Sequence, residues 1–271
     1  PWVRLLRTEP NARYRAALEP SGICLYEVNP VNVRWLPLGR GVFAAVSDAH
    51  GFGTDAMLLA RFSRPEAREK RICDLGTGCG ILPFLWLRDG VSAQITGVEI
   101  QPEAVSLADR TAEKNGFTPA VRFVCADMRS FAPAQTKRFD LVTCNPPYFR
   151  PQNGRPPRSA AARIARQETL CDLNDVFRTA DRLLAENGRF CCCQRPSERE
   201  RLLAAGCAVG LFPRRLFTVR QRAETRPFLL LADMRRDSAA PCVEENWTLE
   251  ENGAPSPLYH ELYPLLEEET L

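Results

Sequence analysis

The chain has 271 residues, of which 45% are hydrophobic and 25% are charged, a composition typical of a globular protein with a packed core. No window approaches the roughly 18 to 20 consecutive apolar residues of a membrane span, and no basic patch followed by an apolar run stands at the N-terminus. We therefore expect neither a transmembrane helix nor a signal peptide. The length fits one α/β domain, with or without an appendage.

The eleven cysteines are scattered along apolar runs without a CxxC pair, and the sequence has only two histidines. Zinc sites need closely spaced Cys and His ligands, and disulfide frameworks are typical of short secreted chains. The pattern therefore predicts buried thiols, no metal and a reducing, cytoplasmic location.

The net charge of +3 conceals an asymmetry. From Arg236 onward there are nine acidic residues and one basic residue, so the preceding chain has 35 Lys and Arg against 24 Asp and Glu. Most of this excess is Arg, whose planar guanidinium suits phosphate contacts and base stacking. The charge favours an anionic partner such as RNA, although a solvated Arg-rich surface would have the same composition.

The composition also suggests three regions: a mixed lead-in at residues 1–45, a main domain at 46–236 and an acidic extension at 237–271. Val33–Val46 predicts one or two strands. Within the extension we expect a short docked helix between Pro257 and Leu266 and acidic side chains in solvent, the alternative being an acidic tail that docks on the basic body as a mimic of RNA.

The main domain alternates predicted strands and helices. A first helix is expected to open with Thr54 or Asp55 as its N-cap. The alternation predicts a Rossmann-like α/β fold with a mostly parallel, seven-stranded sheet and helices on both faces. The predicted strands are Arg71–Leu75, Gln94–Ile100, Val121–Cys125, Phe139–Cys144, Arg189–Gln194, Arg214–Arg222 and Pro227–Met234. The later predicted helices are Leu173–Leu184, capped by Asp172 or Asn174, and Arg195–Ala205.

Polar or glycine-rich residues follow the first four predicted strands, where open α/β sheets bind their ligands. The turn Gly76-Thr77-Gly78-Cys79-Gly80 permits a sharp strand-to-helix connection and a close backbone approach to a ligand. A dinucleotide oxidoreductase fits less well, because its fingerprint has glycine three residues after Gly78, where Ile81 stands. At the ends of the second and third strands lie Glu99, at a ribose-binding position, and Asp127.

The fourth strand ends in Asn145-Pro146-Pro147-Tyr148-Phe149. Two prolines stiffen this loop, because they fix two φ angles and remove two backbone donors. The loop offers an amide oxygen, a backbone carbonyl and an aromatic face, which together suit a planar group that carries an NH2. The simpler alternative is a proline turn.

Two Arg-rich segments, 150–167 and 214–222, are candidates for phosphate contacts. The residues predicted to bind substrate RNA are Phe149, Arg155, Arg158, Arg163, Arg166 and Arg220.

With Asp74-Leu75 before the glycine turn and Asn-Pro-Pro-Tyr after the fourth strand, the chain resembles a class I S-adenosylmethionine-dependent methyltransferase. More closely, it resembles the family that methylates N6 of adenine 37 in a valine tRNA. The further matching residues are the segment from Gly53 to Ala60, the trailing Phe149, and Ala165-Arg166-Gln167-Glu168, where the family usually has His in place of Gln167.

The resemblance implies S-adenosylmethionine as cofactor and tRNA as partner, with no membrane or metal. The residues implied to surround the methionine part are Gly76, Gly78 and Gly80 beneath it, Asp74 near its amino group, and Thr54 and Asp55 over it. Glu99 is implied to bind the ribose, with Asp127 and Met128 at the adenine. The residues implied to carry the chemistry are Asn145, Pro146, Pro147 and Tyr148, with Asn145 also next to the cofactor.

Three alternatives use the same features. Methylation of a protein glutamine amide fits the Asn-Pro-Pro-Tyr loop but not the Arg excess, and methylation of guanine N2 in ribosomal RNA fits the charge. A cofactor-binding RNA adaptor without turnover would not need an intact Asn145 and Tyr148.

Overall fold

A computed structural model describes residues 32–131, 137–146 and 171–263, together with the backbone of two short paired strands, β1 (Ala16–Leu18) and β2 (Cys24–Tyr26). A hairpin and a helix precede the main sheet: β3 (Arg34–Gly39), β4 (Val42–Val46) and α1 (Thr54–Phe62). Of the one or two strands predicted at Val33–Val46, the structure has two, paired in this hairpin.

The strands and helices that follow alternate as predicted. They are β5 (Arg71–Leu75), α2 (Ile81–Arg88), β6 (Gln94–Glu99), α3 (Pro102–Lys114), β7 (Val121–Cys125), α4 (Met128–Phe131) and β8 (Phe139–Cys144). The second part of the domain comprises α5 (Leu173–Leu183), β9 (Leu184–Gln194), a 3-10 turn (Pro196–Glu198), α6 (Arg199–Ala208), β10 (Phe212–Arg220) and β11 (Leu229–Arg235). The C-terminal elements are β12 (Val243–Thr248), the small hairpin β13 (Glu250–Glu251) and β14 (Ala254–Pro255), and α7 (Pro257–Leu262).

The central sheet has the strand order β12-β10-β11-β9-β8-β5-β6-β7. Strands β5 to β9 are mutually parallel, and β11 runs antiparallel to its neighbours β9 and β10. This mostly parallel sheet between helices confirms the predicted Rossmann-like class. It has one strand more than the seven expected, because β12 of the acidic extension pairs parallel to β10.

Two apolar cores cover the faces of the sheet. One contains the fully buried side chains Leu58 of α1 and Phe84 of α2, and the other contains Phe177 of α5 and Leu202 of α6. Each such side chain contributes roughly 1.5 to 3 kcal/mol through removal from water. No helix in the described part of the chain has the length and apolarity needed to cross a membrane.

Two predicted helix starts have different outcomes. Helix α5 begins after Asp172, which forms a reciprocal capping box with Asp175, so the first of the two predicted caps is confirmed. The prediction for α1 was wrong, because Gly53 is its N-cap and Thr54 is already helical. Glycine fits there because a Cβ at this position would lie only 2.8 Å from Asp55 Oδ1.

The acidic extension packs on the domain. Strand β12 joins the sheet edge, and Leu262 of α7 is buried in the core that contains α1. Glu244 forms an ion pair with Arg199 at 2.6 Å, and Glu250 pairs with Arg222 at 2.5 Å. The expectation that the acidic side chains lie free in solvent was therefore wrong for these two. The domain boundaries remain predictions.

Candidate active site

The glycine turn connects β5 to α2 at the carboxyl-terminal edge of the parallel strands. Gly76, Gly78 and Gly80 have φ angles of 66°, 56° and 83°, a region that residues with a Cβ rarely adopt. At Gly80 an added Cβ would lie 2.6 Å from the ring of Phe84. At Gly78 it would meet no described atom within 4 Å, so the backbone there borders open space.

Glu99 joins this turn to the end of β6. Its Oε2 accepts a hydrogen bond from the Gly78 N–H at 2.9 Å, and its Oε1 accepts from the N–H groups of Ile100 and Gln101 at 2.9 and 3.0 Å. These bonds fix the carboxylate, which is only 7% exposed. Each oxygen has two lone pairs, so the fixed carboxylate keeps acceptor capacity for a ligand.

A cavity of about 250 Å³ opens beside Glu99 at this edge. It brings together side chains from the ends of β6, β7 and β8, because the ends of parallel strands meet there. The predicted site residues that line it are Gly76, Glu99, Asp127, Met128, Asn145 and Pro146. The lining residues that sequence reasoning missed include Gln101, Arg129, Cys144 and Cys171.

Asp127 faces this cavity as a carboxylate held by one guanidinium. Arg129 Nη2 lies 2.5 Å from its Oδ2, and Arg129 Nε lies 3.0 Å from both oxygens. The hydrogen bond from Arg129 holds the pKa of Asp127 below its ordinary value, against the opposing effect of partial burial. Asp127 therefore presents an ionised hydrogen-bond acceptor next to Met128.

Asp74 is the most deeply buried acid at this edge. Its Oδ1 accepts a hydrogen bond from Thr143 Oγ1 at 2.6 Å, whereas its Oδ2 is buried with no hydrogen-bond partner among the described residues. The hydroxyl of Thr77 in the glycine turn is also buried and makes no hydrogen bond of normal geometry in the described chain, but it lies close enough to Asp74 to lower the pKa of that carboxyl. Burial raises the pKa of Asp74 to about 6, against the lowering effects of the Thr143 and Thr77 hydroxyls, and the charge of Glu99 adds to the rise. A cation that reached Oδ2 would complete its bonding and favour the ionised form.

Asn145 begins the loop that follows β8. Its Oδ1 lies 3.0 Å from the Sγ of Cys193, so the thiol donates a hydrogen bond to the amide oxygen. Cys193 stands beside it because the adjacent residues Cys144 and Cys192 are paired in the parallel register of β8 and β9. The amide at the cavity wall is therefore oriented by the neighbouring strand.

The predicted cofactor residues Asp74, Gly78 and Gly80 lie outside the cavity lining, and so do Thr54, Asp55 and Arg220. Thr54 Oγ1 is 2.8 Å from the hydroxyl of Tyr263, and Asp55 Oδ1 accepts from the Ala56 N–H at 2.9 Å. Arg220 ends β10 at the same sheet edge and donates to the carbonyl of Thr225 at 2.6 Å. The predicted residues outside the described part of the chain are Pro147, Tyr148, Phe149, Arg155, Arg158, Arg163, Arg166 and Gln167.

Thr143 and Cys193 were missed as supports of the site. For Thr143 a signal existed, because it precedes Asn145 by two residues and side chains two apart share one face of a strand. A polar residue on the buried face of an apolar strand needs a partner, and Asp74 on the neighbouring strand is that partner.

Comparison with known proteins agrees with this geometry. A family model described as a methyltransferase domain matches residues 66–225, so the fold and the site define a methyltransferase. The chain is 31% identical over 188 residues to the tRNA1(Val) (adenine(37)-N6)-methyltransferase of Tolumonas auensis, a match that covers 69% of this chain and 77% of that protein. It is 29% identical over 211 residues to the protein of that name from Edwardsiella ictaluri, with coverages of 72% and 84%.

The chain therefore belongs to the methyltransferase domain family and, within it, to the family of these curated relatives. Among solved structures, it resembles a predicted O-methyltransferase from Agrobacterium tumefaciens with a TM-score of 0.63 and 22% identity. That match covers 78% of this chain and 95% of the other, and at this identity it supports the shared fold alone.

Proposed function

We propose that the protein transfers a methyl group from S-adenosylmethionine to the exocyclic N6 amine of an adenine in RNA, and that this adenine is residue 37 of tRNA(Val). The observation that carries the proposal is Asn145 at the wall of the cavity that Glu99 and Asp127 also line. The printed activity of the curated relatives supports the same target.

The residues at the sheet edge fit S-adenosylmethionine. The buried Oδ2 of Asp74 lacks a hydrogen-bond partner among the described residues, and a primary ammonium would supply one. Glu99 Oε2, which accepts one hydrogen bond, has a lone pair left for a ribose hydroxyl. The cavity of about 250 Å³ has Asp127 as an acceptor for an adenine amine and Met128 as an apolar contact. When bound, this cofactor would supply an electrophilic methyl group.

The chain's own contribution to transfer is orientation. An amine conjugated to an adenine ring is a poor nucleophile, because its lone pair is delocalised into the ring. Asn145 Oδ1 and the Pro146 carbonyl would accept the two N–H hydrogens, which favours a pyramidal nitrogen with its lone pair directed toward the cofactor site. Orientation of this kind can contribute roughly 7 to 11 kcal/mol to lowering a barrier.

RNA binding rests on sequence rather than on the described residues. Tyr148 and Phe149 remain the predicted stacking partners of the base, an interaction worth on the order of 1 to 3 kcal/mol. An adenine in an RNA loop is largely unpaired, so it can enter a pocket without opening a helix. The Arg-rich segment 150–167 remains the predicted phosphate contact.

The test is tritiated methyl transfer from S-adenosylmethionine to total tRNA, ribosomal RNA and a translation release factor, followed by mass spectrometric mapping of the product nucleoside. We expect N6-methyladenosine at position 37 of tRNA(Val). Methylated guanine in ribosomal RNA or methylated glutamine in the release factor would replace the proposal with one of the alternatives, and no transfer at all would favour an RNA adaptor.

A variant pair tests the mechanism. Asn145→Ala is expected to reduce transfer at least a hundredfold while S-adenosylmethionine binding, measured by calorimetry, changes little. Asn187→Ala removes an exposed Asn of β9 and should leave both quantities unchanged. Retention of transfer by Asn145→Ala would contradict the assigned role.

A further inference from the structure

A second depression lies at the opposite edge of the sheet from the cofactor cavity. Its volume is about 260 Å³. Arg71 and Gln94 are the first residues of β5 and β6, and Arg138 directly precedes β8, so the amino-terminal ends of parallel strands bring them together. The polar residues that line the depression are Arg71, Gln94, Thr96, Thr118, Arg122 and Arg138.

The charge of this depression is unbalanced. Its described lining includes three arginines and no carboxylate. Several exposed arginines elsewhere are ion-paired, as Arg61 is with Glu261 and Arg68 is with Glu66, although Arg110 and Arg226 have no ion pair among the described residues. None of the three lining arginines has an ion pair within the described chain, although acids are common on this protein's surface. Like charges gathered around one concavity repel one another, and an anion bound among them would relieve that repulsion.

Two details of the depression favour a defined binding geometry. Arg122 Nε donates to Thr96 Oγ1 at 3.2 Å, which holds that guanidinium by one nitrogen and leaves its Nη groups available for a ligand. Asp140, two residues after Arg138 on β8, uses its Oδ2 to accept the backbone N–H groups of Lys70 and Arg71 at 2.8 and 2.9 Å. That carboxylate is therefore engaged by backbone donors rather than by a guanidinium.

We propose that this depression, which we call the basic depression, is a phosphate-binding site separate from the methyl-transfer site. Guanidinium groups match phosphate oxygens in bidentate geometry, and hydroxyl and amide groups of Thr118 and Gln94 supply further donors. The phosphate belongs either to an RNA backbone or to a small phosphate-bearing molecule. The assignment of this phosphate to an RNA backbone rests on the proposed function, whereas the binding of phosphate itself does not.

An RNA substrate could reach both sites. The five-residue strand β5 separates the two edges by about 17 Å at roughly 3.3 Å per residue, and an RNA that filled both sites would pass around the helices that cover the sheet. The basic depression would then anchor backbone phosphates away from the target base, and these contacts carry affinity rather than sequence selectivity.

The test compares two triple variants of equal charge change. The site variant is Arg71→Gln, Arg122→Gln and Arg138→Gln, and the control is Arg61→Gln, Arg64→Gln and Arg68→Gln, whose wild-type side chains are ion-paired with acids. A double variant, Arg71→Gln with Arg138→Gln, keeps the Arg122 contact with Thr96. S-adenosylmethionine binding checks that every variant is folded.

Calorimetry with pyrophosphate tests whether the basic depression binds phosphate at all. We expect the site variant to lose at least tenfold in affinity for pyrophosphate, while the control variant does not. Filter binding of tRNA over a range of KCl concentrations tests whether the bound phosphate belongs to RNA. A fall of about one to three in the slope of log K against log salt, in the site variant only, assigns the phosphate to RNA. An unchanged slope with lost pyrophosphate binding assigns it to a small molecule, and no change in either assay overturns the proposal.

Discussion

The two edges of the central sheet bury charged side chains in opposite ways. At the amino-terminal edge Arg189 is 2% exposed, and its Nε and Nη2 donate to the two oxygens of Glu69 at 2.7 and 2.9 Å. Its remaining donors reach Asp233 Oδ2 at 3.4 Å and the carbonyls of Ser63 and Arg64 at 3.2 and 3.0 Å. Every charge in this network has a partner.

At the carboxyl-terminal edge Asp74 is 2% exposed, yet one of its oxygens has no partner in the described chain. The pKa values differ accordingly. Burial raises the pKa of Asp74 to about 6, whereas Asp233, although burial alone would raise its pKa, is held below its ordinary value by Arg235, Arg189 and Arg215. Removal of one partner from a saturated buried network is strongly destabilising, whereas a buried carboxylate with one unpaired oxygen is available to a ligand.

The largest expected effect is on folding, in the saturated network around Arg189. Arg189→Met should lower the free energy of unfolding by about 3 to 5 kcal/mol, because it leaves Glu69 without its buried partner. Asp74→Asn should cost less than about 1 kcal/mol at pH 7, because it removes a charge that burial disfavours. Urea denaturation of the two variants measures this difference, and equal losses would contradict the contrast between the edges.

The next effect is the pH dependence that Asp74 gives the cofactor-free protein. The folded state binds this proton more tightly than the unfolded chain, since the pKa is about 6 rather than 3.8. Stability from this group is therefore fully present below about pH 4 and is lost as pH rises to about 6, by on the order of 3 kcal/mol. Glu99 on β6 contributes to the raised pKa, and the thiols of Cys73 and Cys144 lie close by.

Thermal or urea unfolding of wild type and Asp74→Asn between pH 4 and 7 measures this window. The difference in unfolding free energy between the two proteins should change across it, and a constant difference would contradict the buried, raised pKa. With S-adenosylmethionine present, the contribution of Asp74 to stability should instead increase with pH, because binding of the cofactor's ammonium requires ionised Asp74. Cofactor affinity should therefore rise as pH increases through about 6 in wild type only.

The sequence was sufficient to place three candidate site residues at the strand ends that line the cavity. Glu99, Asp127 and Asn145 each follow a short apolar run, and in a parallel sheet such ends converge at one edge. Pairings between strands were not readable, because apolar runs such as Phe139–Cys144 and Arg189–Gln194 carry no mark of their register. The contact of Cys193 with Asn145 follows from that register, so it emerged only with the structure.

The eighth strand was missed for a different reason. Val243–Thr248 contains two consecutive glutamates and lacks the apolar alternation that predicts a strand. An edge strand has one neighbour and remains largely exposed, so it tolerates acids that a central strand would not. Its backbone pairs with the basic strand β10, and Glu244 also reaches Arg199. The acidic composition that suggested a solvated tail is thus compatible with a docked strand.

A smaller effect is expected at Thr143, which supplies the hydrogen bond to Asp74 Oδ1. Thr143→Val keeps the shape but removes the donor, which raises the pKa of Asp74 further. Affinity for S-adenosylmethionine at pH 7 should fall by about 1 to 2 kcal/mol, and the midpoint of its pH dependence should move upward. Thr143→Ser retains a hydroxyl and should restore both, as calorimetry across pH would measure. Failure of Thr143→Ser to restore them would assign Thr143 to packing alone.

The smallest expected effect is at Cys193, whose thiol orients the amide of Asn145. Cys193→Ala removes this donor, so the amide loses one constraint on the oxygen that would accept the target amine. The maximal rate of methyl transfer should fall about three- to tenfold, which corresponds to roughly 0.5 to 1.5 kcal/mol, with little change in cofactor affinity. Cys193→Ser keeps a donor and should retain the rate. Cys192→Ala, which truncates the neighbouring buried thiol in the other core, controls for packing. An equal loss of rate in Cys193→Ala and Cys192→Ala would assign the effect to packing of the core. A loss in Cys193→Ala alone would show that the Cys193 thiol acts by orienting the Asn145 amide and not by stabilising the sheet.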